Sequence, residues 1–131
     1  MSMSDPIADF LTRIRNGVIA KHGEVLIPHS RLKEAITKVF CENKFIESHQ
    51  VVEDSGRKSI WIKYSLREGK NVINNVVRAS KAGRRVYTKA KDIKAVQRGF
   101  GCAVYSTCKG ILTDRQAKKE NVGGELICTI Y

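Results

Sequence analysis

The first apolar positions of the chain recur at helical spacing and therefore predict an amphipathic helix. The members of this apolar stripe are Ile7, Phe10, Leu11, Ile14 and Val18. We expect Ser4 to cap the helix, because a serine hydroxyl accepts a hydrogen bond from a free backbone N–H. Asp5 suits the positive end of the helix dipole, and Pro6 is tolerated in the first turn.

A short strand and a second helix follow. Val25 to Ile27 form an apolar run that Pro28 is expected to stop. Ser30 is placed to cap the next helix, which is predicted to end near Asn43. The apolar stripe of this second helix is Leu32, Ala35, Ile36, Val39 and Phe40.

An alternating pattern then predicts a β-hairpin. Phe45 to Glu53 and Lys58 to Tyr64 are its two strands, joined at the turn Asp54-Ser55-Gly56. In the second strand Ile60 and Ile62 alternate with polar or amphipathic neighbours, which indicates one buried face.

The second half of the chain is predicted to be mostly antiparallel β-structure. Strands are predicted at Val72 to Arg78, Arg84 to Lys89, Cys102 to Tyr105, Ile111 to Leu112 and Glu125 to Tyr131, with one helical turn at Lys91 to Val96. Thr113 and Gln116 have the spacing of a capping box, which predicts a short helix that reaches about Glu120.

The predicted fold is α+β with two small lobes. The N-terminal lobe, residues 1–66, has the order helix, strand, helix, strand, strand. The C-terminal lobe, residues 72–131, is mostly antiparallel β-structure with one short helix. The boundary is placed at Arg67 to Asn71, because this stretch has few apolar residues and contains a glycine.

The excess positive charge lies in one third of the chain. Residues 57–98 contain 13 of the 24 Lys and Arg residues but only two of the 13 Asp and Glu residues, so this span accounts for the whole net charge of +11. Such confinement is typical of a protein that binds a polyanion, whereas a solubility charge is spread over the surface. The alternative is a basic face that contacts only water.

Other function classes are disfavoured. No apolar run reaches the roughly 18 residues that span a bilayer, and the polar N-terminus does not resemble a signal peptide, so a cytoplasmic protein is expected. The four cysteines, Cys41, Cys102, Cys108 and Cys128, include no C-x-x-C pair, so zinc-finger spacing is absent and no metal is expected. No cofactor is expected either, because Val104 stands where a dinucleotide-binding motif that begins at Gly99 needs its third glycine. Cys102 and Cys128 are predicted to be core residues. No nucleophile, base and oxyanion donor assemble, so no catalytic residue is expected.

Two loops carry residue types that bind nucleic acid. In the basic turn from Ser80 to Tyr87, cations can neutralise phosphates and the tyrosine can stack on an unpaired base. The alternative interpretation is that Tyr87 packs in the core. The loop from Ser106 to Gly110 offers two hydroxyls, turn amides and a cation to a nucleic acid. The alternative interpretation is that this loop is a hairpin turn closed by glycine, without a binding role. The candidate cations of the basic span are Lys81, Arg84, Arg85, Lys91 and Lys94.

Three blocks of the sequence resemble the signatures of bacterial-type small-subunit ribosomal protein eight. They are Asp5 to Asn16 (DPIADFLTRIRN), Arg78 to Tyr87 (RASKAGRRVY), and Tyr105 to Asp114 (YSTCKGILTD) followed by Gly123-Gly124-Glu125. The blocks are spaced as in that family and cover essentially the whole chain. The resemblance implies a two-lobe α+β fold without enzymatic activity. It also implies a structural role in the ribosome, through binding to the central domain of small-subunit ribosomal RNA during platform assembly.

The resemblance further implies partners and binding residues. The implied protein neighbours are ribosomal proteins five and twelve of the small subunit, and family members repress their own operon through a messenger RNA that mimics the ribosomal site. The implied main RNA-reading surface is Ser106, Thr107, Lys109, Gly124 and Glu125, with Cys108 and Gly110 in the same loop and Tyr87 stacking beside it. The implied second RNA contact is Asp5, Thr12, Arg15, Asn16, Ser30 and Lys33.

Two positions depart from the family's pattern. Cys108 stands where the family usually has serine, and a thiol is a weaker hydrogen-bonding group than a hydroxyl. Ala82 stands where the family often has proline, so the turn is less fixed in advance. Three functions remain open at this point: a structural binder of ribosomal RNA, a free regulator of messenger RNA, and a small phosphate-handling enzyme.

Overall fold

The computed structural model describes residues 5–81 and 83–131. The first half contains α1 (Pro6–Ile19), β1 (Glu24–Pro28), α2 (Arg31–Glu42), β2 (Ile46–Asp54) and β3 (Arg57–Tyr64). A small hairpin follows, made of β4 (Leu66–Arg67) and β5 (Lys70–Asn71). The second half contains β6 (Val76–Arg78), β7 (Tyr87–Thr88), β8 (Cys102–Thr107), β9 (Gly110–Thr113), α3 (Asp114–Lys119) and β10 (Gly124–Ile130). The α+β prediction is confirmed, including the mostly antiparallel second half with one short helix.

The strands form antiparallel sheets. In the first half the order is β1-β3-β2, and the predicted hairpin of β2 and β3 is present. In the second half the order is β6-β10-β8-β9, and β7 also pairs with β10. β10 therefore lies in the middle of the second sheet, with β8 on one side and both β6 and β7 on the other.

The largest hydrophobic cluster draws on both halves of the chain. Phe10 and Phe40 of the two long helices stack with ring centroids 6.5 Å apart. Val76, Cys102 and Ile130 of the second sheet belong to the same cluster. The division into lobes at residues 1–66 and 72–131 stays a prediction.

The N-terminal helix has a different cap from the one expected. Ser4 lies outside the described residues, and the capping residue is Asp5. Its Oδ1 accepts hydrogen bonds from the N–H groups of Ile7 at 3.2 Å and Ala8 at 3.1 Å. The apolar stripe is otherwise as predicted, since Val18 packs against the core from a half-buried position.

The buried face of α2 is rotated relative to the prediction. Leu32, expected in the core, is 39% exposed, whereas Lys33 and Thr37 are buried. Lys33 is accommodated because its Nζ donates to the Pro28 carbonyl at 3.3 Å. Thr37 is accommodated because its hydroxyl donates to the Lys33 carbonyl at 2.8 Å. Intrahelical and loop carbonyls thus satisfy polar groups that periodicity alone assigned to solvent.

Two predicted strands are shorter than expected. The strand expected at 72–78 forms only at Val76–Arg78, because Ile73 N–H donates to the Asn71 side chain at 2.9 Å instead of to a strand. The strand expected at 84–89 forms only at Tyr87–Thr88. In the preceding turn the backbones of Lys81 and Arg84 exchange two 2.9 Å hydrogen bonds, and the turn residue Ala82 lies outside the described residues.

The helical turn predicted at 91–96 is displaced. Short 3-10 turns lie at Ala90–Asp92 and Gln97–Gly99 instead. The capping box is confirmed, because Thr113 Oγ1 accepts from Gln116 N–H at 3.1 Å and Gln116 Oε1 accepts from Thr113 N–H at 3.0 Å. In the part of the chain that the structure describes, no helix combines the length and the apolar character needed to cross a bilayer.

The two cysteines predicted in the core are buried there. Burial raises the pKa of Cys102 to about 12 and that of Cys128 to about 12. Cys108 is exposed and Cys41 is half-buried, and all four thiols are free.

Candidate nucleic-acid interface

Strand register brings three candidate residues to one face of the second sheet. Glu125 of β10 is the direct partner of Tyr87 in β7 and of Ser106 in β8. Side chains of directly opposed residues in an antiparallel pair point to the same face, with Cβ atoms about 5 Å apart. Tyr87, Glu125 and Ser106 therefore form one row across three strands, which we call the binding row.

The hairpin beside this row has its shape fixed by Thr107. Thr107 pairs with Gly110, which leaves Cys108 and Lys109 as the exposed tip. The Thr107 hydroxyl donates to the Gly110 carbonyl at 2.8 Å and accepts from Lys109 N–H at 3.1 Å. Gly110 has φ of 104°, a conformation that favours glycine. The Thr107 hydroxyl thus holds the loop, while the exposed Ser106 hydroxyl faces outward with the binding row.

Gly124 allows the central strands to approach closely. A Cβ at this position would lie 2.2 Å from the Ser106 carbonyl oxygen. A Cβ at Gly123 would lie 2.4 Å from the Thr88 carbonyl oxygen. Both glycines are therefore needed where β10 runs between β7 and β8. The family resemblance implies that Gly124 belongs to the RNA-reading surface, and the close packing of the strands gives a second reason for a glycine at this position.

A buried hydroxyl organises the acidic member of the row. Ser80 is fully buried, and its Oγ accepts from Val86 N–H at 3.0 Å. The Ser80 hydroxyl donates to the Glu125 carboxylate, and this donation is the largest influence on the pKa of that carboxyl group. Together with Arg85 and Arg78 it holds the pKa of Glu125 below its ordinary value against the opposing effect of burial. Arg85 Nη1 lies 3.0 Å from Glu125 Oε2.

Sequence reasoning did not select Ser80 as a site residue. Its position as the first residue of the basic turn is the only local signal, and serine is common in turns. Burial and the bond to a residue of β10 become visible only when the turn is placed against the sheet.

The Tyr87 ring is available to a ligand. Its exposed fraction is 74%, which settles the alternative between a core and a surface aromatic residue in favour of the surface. An exposed ring beside guanidinium groups offers a platform on which a base can stack.

The candidate cations are also on the surface. The exposed candidates are Lys81, Arg84, Arg85, Lys91 and Lys94. Among them, Lys81 and Arg85 line grooves that contain other candidate site residues. Lys89, which sequence reasoning did not select, lines a groove together with Tyr87, Ser106 and Gly124. At the hairpin tip, Lys109 Nζ lies 3.0 Å from Glu120 Oε2, so part of its charge is already balanced.

Several residues of the expected second contact are engaged within the protein. Arg15 Nη1 donates to the Val76 carbonyl at 2.8 Å and Nη2 to Thr12 Oγ1 at 3.4 Å. Ser30 caps α2 by accepting from the N–H of Lys33, whose side chain is buried. Asn16 is exposed. These contacts attach α1 to β6 and fix the position of the exposed atoms.

Asp5 links the same helix to the second sheet. Burial raises the pKa of Asp5, but the N–H groups of Ala8 and Ile7 and the Arg78 guanidinium outweigh that effect and leave the pKa below its ordinary value. Arg78 Nε lies 3.3 Å from Asp5 Oδ2, and its Nη1 donates to the Ile127 carbonyl at 2.8 Å.

Residues of the two expected RNA contacts line three grooves that are linked by shared residues, although Lys109, Asn16 and Lys33 line none of them. The groove beside Tyr87 shares Ser106 with a second groove, which also contains Glu125, Arg85 and Asp5. That second groove shares Asp5 and Arg78 with a third, which contains Thr12, Arg15 and Lys81. We call these three grooves the binding surface. Linked grooves with cations along them can accept an extended polyanion.

Comparison with known proteins gives a consistent result. The family model described as "Ribosomal protein S8" matches residues 5–131. The chain is similar to proteins named "Small ribosomal subunit protein uS8" from Clostridioides difficile (47% identity) and Geotalea daltonii (47%), and each match covers 100% of both chains. The protein of the same name from Streptococcus uberis is 44% identical, also over 100% of both chains.

Proposed function

Because this chain belongs to the ribosomal protein S8 family, a non-enzymatic family of the small ribosomal subunit, we propose that its binding surface attaches it to small-subunit ribosomal RNA. Family membership makes the chain a structural component of the small ribosomal subunit in the cytoplasm. The observation that carries the RNA proposal is the binding row, in which an aromatic ring, a carboxylate and a hydroxyl are aligned beside exposed cations.

The proposed target is an irregular part of the central domain of that RNA, bound early in platform assembly. Regular A-form RNA hides its base edges in a deep major groove, so a distorted or partly unpaired segment is the suitable ligand. Tyr87 stacks on an unpaired base, and the Ser106 hydroxyl contacts a 2′-OH or a base edge. The Glu125 carboxylate accepts from a base amino group.

The ion pair between Arg85 and Glu125 makes a carboxylate acceptable at a phosphate-binding surface. An isolated carboxylate would repel phosphates, but the guanidinium 3.0 Å away balances its charge. Arg85 is half-exposed, so its remaining N–H groups can still donate to phosphate oxygens.

Mutations separate affinity from discrimination. Lys89→Ala removes a cation of the groove beside Tyr87. It is expected to weaken the binding of cognate and random RNA equally and to reduce the salt slope by about 0.7–0.9, since one phosphate contact is lost. Ser106→Ala is expected to weaken the binding of cognate RNA by roughly 2- to 12-fold, the value of one net hydrogen bond, with little effect on the binding of random RNA. Fluorescence anisotropy at several salt concentrations measures both effects.

A remote cation provides the control. Lys58 is exposed in β3 of the other sheet and lines none of the three grooves. Lys58→Ala should leave affinity and salt slope unchanged. With about six phosphates neutralised, the unmodified chain should show a slope of about −4 to −5. A slope near zero, or identical behaviour of the Ser106 and Lys89 variants, would contradict the proposal.

We also propose that the same surface serves the other roles implied by the resemblance. A messenger RNA that mimics the ribosomal site would occupy the binding row, so repression of the operon would compete with ribosomal RNA. Tyr87→Ala should then lower the affinity for both RNAs by a similar factor. Unequal losses of affinity would indicate that the two RNAs bind separate surfaces. Ribosomal proteins five and twelve are the proposed protein neighbours, and crosslinking in purified small subunits tests their contact.

A further inference from the structure

Phe100 lies on the surface directly after a turn whose backbone conformation is costly to form. Its side chain is 87% exposed, the largest exposed fraction among the large hydrophobic residues of the described chain. The three residues before it have positive φ: 48° for Gln97, 57° for Arg98 and 95° for Gly99. Gln97 and Arg98 are two consecutive non-glycine residues in the left-handed region, which is unfavourable for residues that carry a Cβ. The rest of the fold must therefore compensate for this turn.

Hydrogen bonds hold the turn in place. Val96 O accepts from the N–H of Gly99 at 2.9 Å and of Gly101 at 3.0 Å, and Gln97 O accepts from Phe100 N–H at 3.1 Å. Arg115 Nη2 of α3 donates to the Gly99 carbonyl at 2.6 Å. Phe100 is thus held in the solvent by a fixed backbone and is not the end of a loose loop.

The ring borders an apolar surface that continues beyond it. Phe100 lines a groove with Phe45 and Val72, and this groove shares Asn74 with a second one that contains Leu66. Leu66 is itself 57% exposed. We call the two grooves together the Phe100 face. None of its lining residues lines the binding surface, so both can be occupied at once.

The charge of the Phe100 face has one sign. Arg98, Lys21 and Lys70 line it, and no Asp or Glu side chain does so among residues 5–81 and 83–131. An apolar centre beside cations is complementary to an apolar anchor flanked by carboxylates. A base can stack on the Phe100 ring, but the face continues from that ring to the aliphatic side chains of Val72 and Leu66, which suit an apolar side chain of a protein.

We propose that the Phe100 face is a docking site for a second protein, through a segment that carries an apolar side chain next to Asp or Glu. The segment places its apolar side chain against Phe100 and its carboxylates near Arg98 and Lys70. This contact is separate from the RNA proposal, because it involves none of the residues of the binding surface.

A photo-crosslinking amino acid at position 100 tests the proposal in assembled small subunits. The expected product joins the chain to one other protein at a segment with an acidic residue near the attachment point. The same amino acid at Tyr87 is the control and should crosslink to RNA, so failure of the RNA proposal is seen separately. A position-100 crosslink to RNA only, to a second copy of this chain, or to nothing would overturn the docking proposal.

Binding of a synthetic peptide with the crosslinked sequence then tests the chemistry. Phe100→Ala is expected to weaken binding of the peptide by about 30-fold, the value typical of an interface anchor. Arg98→Glu, or a peptide with amides in place of carboxylates, should also weaken it. Leu26→Ala is the matched control, because Leu26 is 55% exposed on β1 and lines neither groove. Equal affinities of the Phe100 and Leu26 variants would refute the proposal, provided that both have the urea midpoint of the parent.

Discussion

The Ser80 hydroxyl connects the basic turn to the central strand of the second sheet, and removing it tests how the binding row is held. It accepts from Val86 N–H at 3.0 Å and donates to the Glu125 carboxylate. Ser80→Ala deletes both bonds without changing any exposed group of the binding surface. A loss of function would therefore come from the position of Arg85 and Tyr87, which follow in the same turn.

The expected loss of unfolding free energy is about 2 kcal/mol. An unpaired buried N–H costs about 1–3 kcal/mol, and a hydrogen bond to a charged group contributes about 1.5–3 kcal/mol. The two values are not added, because the Glu125 side chain is 20% exposed and water can replace part of the lost bond. The loss falls below the sum for that reason.

The lowered pKa of Glu125 predicts how the stability difference between Ser80→Ala and the parent changes with pH. Glu125 has a lowered pKa in the folded chain, so its stabilisation is present above the unfolded pKa and is lost as the pH falls through the folded pKa. Urea unfolding should therefore show a larger difference between Ser80→Ala and the parent at pH 7 than at pH 3. Carboxyl-carbon NMR should show a higher Glu125 pKa in the variant.

Ser55→Ala is the matched control for this experiment. Its hydroxyl is exposed and donates to the side chain of the neighbouring Asp54 at 3.3 Å, so a change within about 0.5 kcal/mol is expected. The reasoning is refuted if Ser80→Ala has the stability of Ser55→Ala and the Glu125 pKa does not move. The variant should also bind cognate RNA more weakly than the control does.

Three further predictions use other parts of the structure. Gly124→Ala places a Cβ 2.2 Å from a backbone oxygen, so urea unfolding should show a loss of about 1–3 kcal/mol, whereas Gly23→Ala meets nothing within 4 Å and should be near neutral. Tyr64→Phe removes a buried 2.8 Å hydrogen bond to a carbonyl of α1 and should cost about 1 kcal/mol. Iodoacetamide should alkylate the exposed Cys108 before the buried Cys102, and mass spectrometry after brief treatment would contradict this if Cys102 reacted first.

Local patterns in the sequence predicted most of the elements. Helical spacing predicted α1 and α2, alternation predicted the hairpin of β2 and β3, and the Thr113 and Gln116 pair predicted the start of α3. These features depend on residues a few positions apart, so they are visible without the fold. The exceptions, such as the buried Lys33, arise where a carbonyl from another segment satisfies a polar group.

Patterns along the chain were therefore enough to predict the fold class, the basic span and the loops that carry binding chemistry. Which of those residues act together depends on the three-dimensional fold. Tyr87, Ser106 and Glu125 are far apart in the chain, and the register of three strands places them in one row. The roles of Ser80 and Thr107 as internal supports were likewise decided by packing, because a hydroxyl's partner depends on which atoms the fold brings within hydrogen-bonding distance.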